Sequence, residues 1–368
     1  MQPTAHALYS VAQVREAERI AIEELQMPGL QLMRSAGLAA FNALKQRWPD
    51  ARRLSVYCGC GNNAGDGYVV ARLAKDAGYI VSVFSMTDPD NLAGDALTVC
   101  RDYLSAGGKV APFDSGAKAD GVVVDALLGT GLNRELAPDY AEAIALINRS
   151  GRPVLALDVP SGLHADSGCV LGCAVRADLT VTFIALKAGL FTGDAAGYCG
   201  DIVCSSLNVP DSVLSKLKVT ARFLTKTALA PRPRSAHKGH FGHVLVVGGN
   251  LGYSGAVRLA GEAALRCGAG LVSIATRVEH SSFLHLGRPE LMCHGIERSA
   301  QLKPLLDKAS VIVIGPGLGQ DAWAQDLLSA ALAGDKICIA DADALNLLAK
   351  HPQKRGDWVI TPHPGEAA

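Results

Sequence analysis

Short, wholly apolar runs that stop at an acid or a glycine constrain this chain more than any other feature. Val122-Val123-Val124 runs into Asp125, Val154-Leu155-Ala156-Leu157 into Asp158, and Val311-Ile312-Val313-Ile314 into Gly315. Such runs are too short to span a membrane. They match parallel strands buried on both faces. Helical stretches fall between them, as at 68–77, closed by Gly78, and at 140–148. Strand-helix alternation implies right-handed crossovers and an α/β architecture, a mostly parallel sheet between two layers of helices.

The alternation also sets the domain organisation. At the start, Ser10 and Gln13 have capping-box spacing. Val14, Ala17, Ala21 and Leu25 follow on one helical face. Met27-Pro28-Gly29 is expected to end that helix, and a second helix is expected from about 30 to 44. Strands are expected at 54–58, 80–84, 121–125, 154–158, 179–184 and 202–205. The pattern fades near residue 210, and the proline-rich stretch Ala228-Leu229-Ala230-Pro231-Arg232-Pro233-Arg234-Ser235 favours extended chain. It restarts with strands at 243–247, 271–276, 310–314, 336–340 and 358–360, and helices at 255–267, 321–332 and 342–350. Two domains are therefore expected, 1–218 and 235–368, joined by a linker at 219–234, as a chain of 368 residues allows. They share no sequence period, so they are not a repeat.

Charge and composition exclude several function classes. Lysine plus arginine and aspartate plus glutamate each total 35, with no long single-sign run. Nucleic-acid grooves and anionic membranes both call for concentrated positive charge. Aromatic residues make up 5%, too few for base-stacking platforms. The expected partner is thus a small molecule, not a nucleic acid or a membrane, and the expected assembly is a homo-oligomer. Met1-Gln2-Pro3-Thr4-Ala5-His6 lacks the basic and apolar regions of a signal peptide. The ten cysteines form no C-x-x-C pair, and are expected as small buried residues in a reducing cytoplasm, not as zinc ligands or disulfides.

Three polar segments each follow a strand in the first half. Loops at the carboxyl ends of parallel strands converge on one edge, where ligands bind. The first is Gly59-Cys60-Gly61-Asn62-Asn63-Ala64-Gly65-Asp66-Gly67, read as a glycine-rich loop opening a helix whose free amides suit a phosphate. The second is Asp125-Ala126-Leu127-Leu128-Gly129-Thr130-Gly131-Leu132-Asn133-Arg134-Glu135. The third is Asp158-Val159-Pro160-Ser161-Gly162. Desolvation of Asp158 at the end of its apolar strand can raise its pKa towards the range of proton transfer. Two acids beside Asn62-Asn63 suit either proton transfer or a hard cation held by oxygens.

These segments together resemble the NAD(P)H-hydrate epimerase domain, over residues 8 to about 210. Tyr9-Ser10-x-x-Gln13 and Leu32-Met33-x-x-Ala36-Gly37 extend the match, with Ala64 departing from the family's usual glycine and Arg34-Ser35 also differing. The resemblance implies a Rossmann-like three-layer sandwich that interconverts the R and S hydrates of NADH and NADPH (NADHX and NADPHX). It also implies that Asn62, Asn63, Ala64, Gly65, Asp66, Gly129, Thr130, Gly131, Leu132, Asn133, Arg134 and Glu135 hold the substrate. Asp158 would be the substrate-contacting acid–base group, and Asn63, Asp125 and Ser161 would bind K+.

Beginning at His237-Lys238-Gly239, glycines and acids again stand at strand ends: Gly248-Gly249, Gly315-Pro316-Gly317-Leu318-Gly319, Asp341-Ala342-Asp343 and Thr361-Pro362-His363-Pro364-Gly365-Glu366. In this order they resemble the ADP- or ATP-dependent NAD(P)H-hydrate dehydratase, which has a ribokinase-like fold. The resemblance implies that Ala256, Gly317 and His363 contact the hydrate, and that ADP and Mg2+ take part. In that family the nucleotide segment and a catalytic Gly-x-Gly-Asp loop come later than Glu366. The ribokinase-like domain is therefore expected to be incomplete and inactive as a dehydratase in this chain.

Three other readings compete. An NAD-dependent dehydrogenase would use Gly59, Gly61 and Ala64 as a G-x-G-x-x-A fingerprint, but no acid closes the strand at 80–86, and Asp88 lies beyond it. A small-molecule kinase rests on fold analogy alone. A non-catalytic binding or scaffold module would not need Asp158 and Asn62-Asn63, both of which are intact.

Overall fold

The structure, a computed structural model, describes residues 7–116, 118–224 and 229–367. It divides into two compact units, Met1–Lys226 and Thr227–Ala368.

The first unit begins with strand β1 (Ala7–Leu8) and helices α1 (Val11–Glu23) and α2 (Gly29–Arg47). Then come β2 (Arg53–Cys58), α3 (Asn62–Asp76), β3 (Ile80–Ser85), α4 (Gly94–Ser105), β4 (Val110–Pro112), β5 (Val122–Ala126), α5 (Pro138–Arg149), β6 (Val154–Leu157), β7 (Leu179–Phe183), β8 (Asp201–Ser205), the short α6 (Asp211–Leu214) and β9 (Ala221–Arg222). Seven strands form one sheet in the order β4-β3-β2-β5-β6-β7-β8, every pairing parallel. Helices cover both faces. One core joins Val14, Ala17 and Ile20 of α1, Leu32 and Leu44 of α2, and Tyr68 of α3 to the sheet. On the opposite face Ile144 and Ile147 of α5 pack on Tyr57 and Val123. Val123 and Val124 have no exposed surface, as a strand buried on both faces requires.

Chain order decides where a ligand can bind. From β2 the chain proceeds outward through β3 to β4, and from β5 it proceeds the other way to β8. Connections leaving β2 and β5 therefore diverge, and a crevice opens at their carboxyl ends. Gly59 follows β2 at this point. A side chain there would overlap the carbonyl oxygen of Leu127, so the absence of a Cβ lets the turns after β2 and β5 touch.

In the second unit, β10 (His243–Val247), β11 (Leu271–Thr276), β12 (Leu291–Gly295), β13 (Val311–Ile314), β14 (Ile337–Ala340) and β15 (Trp358–Ile360) form a six-stranded sheet, with α7 (Ser254–Arg266) and further helices at Ala322–Leu332 and Asp343–Lys350 between strands. The strand order is β12-β11-β10-β13-β14-β15, again all parallel. The same divergence of connections lies between β10 and β13.

Several expectations are corrected. Leu25 lies beyond α1 and is 45% exposed, because the helix stops at Glu23 before reaching it. The stretch expected as a linker at 219–234 contains β9, which pairs antiparallel with β1; residues 225–228 of it lie outside the described residues. β4 and β12 were not anticipated: β4 ends on a proline at the sheet edge, and β12 mixes Met292, Cys293 and His294. All ten cysteines are free, but Cys60, Cys169, Cys204 and Cys267 are exposed instead of buried.

Gly59→Ala is expected to lower stability by about 2–3 kcal/mol, the cost of forcing extra volume into a packed site. Urea denaturation checks it, and a midpoint equal to that of the parent chain would contradict the packing role.

Candidate active site

The segment read as a phosphate loop is a helix from its fourth residue. Gly61 is the extended residue before α3, which starts at Asn62. The glycines that follow serve packing. A Cβ on Gly65 would meet Met33 of α2 at 2.6 Å, and one on Gly67 would meet Ala126 of β5 at 2.6 Å. Helical periodicity then sorts the side chains. Asn62, Asn63 and Asp66 line a cavity of about 800 Å³, whereas Ala64 packs in the core and Gly65 against Met33. Ala64 and Gly65 are thus supports behind the site, not part of its lining, and alanine at 64 sits in ordinary helix.

Gly129, Thr130, Gly131, Leu132, Asn133, Arg134 and Glu135 line the same cavity, and so does Asp158. Asp125 and Ser161 lie beneath it, fully or almost fully buried. The Ser161 hydroxyl donates to Asp125 Oδ1 at 2.6 Å, and the Ser161 amide donates to Asp125 Oδ2 at 2.8 Å. Leu128 N–H donates to Ser161 Oγ at 2.9 Å, and Asn63 Nδ2 donates to the Leu128 carbonyl at 2.9 Å. Asn63, Asp125 and Ser161 therefore converge on one turn. Asn63 Oδ1 is buried and accepts no hydrogen bond from any described residue. Burial pushes the Asp125 carboxyl up to about 6, against the hydrogen bonds from Ser161 and Leu127.

Asp158 was expected in a largely apolar setting. The structure instead gives it a buried cation, Lys187, which is 1% exposed. The Lys187 ammonium donates to Asp158 Oδ1, to Thr182 Oγ1 at 2.8 Å and to the Phe183 carbonyl at 2.8 Å. Thr182 Oγ1 and Phe183 N–H also donate to Asp158 Oδ1, at 3.2 and 3.3 Å. Oδ1 is saturated, and Oδ2 is the oxygen left without a hydrogen bond from any described residue. The backbone is strained here. Asp158 (φ 64°) and Ile184 (φ 67°) both occupy the left-handed region and both line the cavity. Non-glycine residues held there cost about 1–3 kcal/mol each and cluster at functional sites.

Sequence reading missed Lys187, Arg15 and Glu18. A lysine inside Ala185-Leu186-Lys187-Ala188-Gly189-Leu190 was the available signal, since an unpaired ammonium does not survive in an apolar run. Its backbone is gripped from the amino terminus, where Tyr9 N–H donates to Leu186 O and Ala188 N–H to Tyr9 O, both at 2.9 Å. Arg15 reaches the Thr130 carbonyl at 3.5 Å. Glu18, in the same cavity, has its pKa raised by burial and by Asp158.

In the second unit, Ala256 sits in the first turn of α7. Gly317 adopts φ +57°, and a Cβ there would meet Tyr253 at 2.7 Å and Ala256 at 3.2 Å, so these two expected contacts are neighbours. His363 follows β15 and is exposed, its ring 3.1 Å from Glu366. Asn250, Arg277 and Asp321 tie together the segments after β10, β11 and β13: Arg277 donates to Asn250 Oδ1 at 2.8 Å and to Asp321 Oδ2 at 2.9 Å. Among the described residues no helix is long and apolar enough to cross a membrane.

A doubly wound sheet with acids at its switch point, followed by a second such sheet, defines a two-domain α/β enzyme class. Comparison with known proteins narrows it. The family described as YjeF-related protein N-terminus matches residues 29–189, and the family described as NAD(P)H-hydrate dehydratase matches residues 244–368. A bifunctional NAD(P)H-hydrate repair enzyme, Nnr, of Coxiella burnetii is 48% identical over 366 residues, covering 98% of this chain and 75% of its own. Its Escherichia coli counterpart is 42% identical over 367 residues, covering 99% and 71%. The crystal structure of yeast ynu0, 18% identical, aligns with a TM-score of 0.50 over 60% of this chain and 96% of its own, a likeness of fold. The chain belongs to the bifunctional NAD(P)H-hydrate repair enzymes, with an epimerase-type domain followed by a dehydratase-type domain. Both domains are present, and the expectation that the second lacks its dehydratase site finds no support in these matches.

Removing Lys187 leaves the Asp158 carboxylate without its cation. Lys187→Met is expected to cost about 3–5 kcal/mol, as breaking one side of a buried pair does. Lys187→Met with Asp158→Leu is expected to recover most of it. Urea denaturation of both variants is the check, and equal losses in both would contradict the pairing.

Proposed function

We propose that the first unit interconverts the R and S hydrates of NADH and NADPH, and that the second acts on the same hydrates as a dehydratase with ADP and Mg2+. The observation that carries the first part is the convergence of Asn62, Asn63, Asp66, residues 129–135 and Asp158 on one cavity at the switch point of the sheet. Its volume is in the range of small-molecule sites.

In this reading residues 129–135 hold the substrate's phosphates and ribose, with Arg134 supplying positive charge. The hydrated nicotinamide lies against Asp158. That carboxylate is held by Lys187, Thr182 and the Phe183 amide through one oxygen, so Oδ2 is free to exchange a proton with the hydroxyl. Preorganisation of this kind is what general acid–base catalysis needs. Asn63, Asp125 and Ser161 fit a potassium ion: all three offer oxygen, and the buried Asn63 Oδ1 lacks a partner. A monovalent cation there would neutralise Asp125 and fix the turn at 128–129. In the second unit Ala256, Gly317 and His363 are the proposed contacts to the hydrate.

Supplied with a single epimer of NADPH hydrate in potassium buffer without ADP, the chain is expected to produce the other epimer, followed by chromatography. Asp158→Asn should lower the rate by about 10²–10⁴-fold. A folded chain that leaves the epimer unchanged would refute the epimerase reading and favour a binding module. Potassium should also raise the melting temperature above that in tetramethylammonium, and Ser161→Ala should abolish the difference. An equal melting temperature in both salts would remove the cation from the account.

A further inference from the structure

We infer that Asp66 is a second catalytic residue of the first unit, a neutral acid that protonates the departing hydroxyl of the hydrate while Asp158 serves as the base. The inference rests on the epimerase reading and adds a proton donor to it.

Asp66 stands in the second turn of α3 and lines the cavity while only 9% exposed. Its carboxyl makes no hydrogen bond or ion pair with any described residue. The other buried charged groups of this unit do: Asp125 has Ser161 and Leu127, and Lys187 has Asp158, Thr182 and Phe183. Asp66 caps no helix end either, so a structural task does not account for it. Its place is set from behind by Gly37 of α2, where a Cβ would overlap Val69 and meet the Asp66 carbonyl at 3.1 Å.

An acid buried without a partner is held neutral. Burial raises the Asp66 pKa well above the usual carboxylate range, and the nearby Asp158 and Glu18 carboxyls add to this, opposed by Lys187. The groups facing it are Glu18 from α1, Asp158 from the end of β6 and Lys187 from beyond β7; Asp95 of α4 lines the same cavity. Three cations line the cavity, Arg15, Arg134 and Lys187; Lys187 is the one whose charge acts on Asp66, and it is committed to Asp158. Two carboxyls in one cavity thus have opposite environments, and pairs of that kind divide into an acid and a base.

The chemistry closes. Water adds to an enamine so that the hydroxyl lies on the carbon next to the ring nitrogen. Asp66 gives its proton to that hydroxyl, the C–O bond breaks with both electrons going to oxygen, and water leaves. The nitrogen lone pair stabilises the resulting cation. A water returns to the opposite face, its oxygen bonds to the carbon, and its surplus proton passes to the Asp158 carboxylate. Transfer of that proton from Asp158 back to Asp66 through cavity water resets the pair. No oxidant or reductant is needed, and water is neither gained nor lost.

The test uses the full chain, a single epimer of NADPH hydrate and potassium buffer without ADP. In Asp66→Asn, an isosteric neutral change, kcat is expected to fall about 10²–10⁴-fold with KM within about 3-fold. In the parent chain the acid form of Asp66 is the active one, so kcat should fall as pH rises through its pKa. That fall should vanish from the residual activity of the variant. Asp66→Asn with unchanged kcat, or with a change in KM alone, would overturn the inference and leave the epimerase reading standing. A folded parent chain with no interconversion would overturn both. If Asp66→Asn fails to fold, the parent profile decides: a kcat that falls as pH rises supports the inference, and a kcat that stays flat overturns it.

Discussion

The first unit depends on an ion pair whose lysine is almost wholly buried. Lys187 lines the cavity with almost all of its surface buried, and each of its three ammonium hydrogens has an acceptor: Asp158, Thr182 and Phe183. Satisfaction on that scale is what makes a buried charge tolerable. It also does more than close a charge. It orders the turn after β7, where Ile184 takes a strained backbone, and it anchors the turn after β6, where Asp158 does the same. The first strand-like residues of the chain are drawn in too, through Tyr9.

Around that pair the site follows from topology and from missing side chains. Divergence of the connections after β2 and β5 opens the crevice. Gly59, Gly65 and Gly67 then let α3 and its neighbours approach so closely that Asp66 is buried yet faces the cavity. A polar helix start pressed into a sheet edge is costly, and here it is offset by the hydrogen bonds linking Asn63, Leu128, Ser161 and Asp125. In the proposed reading, binding and proton transfer follow from one arrangement: a hydrogen-bonded floor, a rim at 129–135, and two carboxyls with different neighbours.

Much of this was legible in the sequence. Apolar runs such as Val122-Val123-Val124 announce parallel strands, and the acids that end them mark one edge. Asn63, Asp125 and Ser161 do meet at one turn, and Asp158 does reach the cavity. What was not legible came from contacts distant in sequence. Lys187 is separated from Asp158 by 29 residues, and Arg15 from Thr130 by 115; no local pattern reports either. The glycine-rich stretch at 59–67 misled for a physical reason. Glycine serves both turn freedom and close packing, and only the neighbours Met33 and Ala126 reveal that at 65 and 67 the second applies. Edge strands such as β4 and β12 carry mixed side chains, so periodicity does not separate them from loops.

In the proposed arrangement the hydrated nicotinamide lies between Asp158 and Asp66, with the phosphates towards residues 129–135. A crystal structure of the full chain soaked with NADPH hydrate in potassium tests this most directly. The account predicts the hydroxyl-bearing carbon within hydrogen-bonding reach of both carboxyls and an ion held by Asn63, Asp125 and Ser161. A reversed ligand, with phosphate against Asp158 and the ring at 129–135, would contradict it.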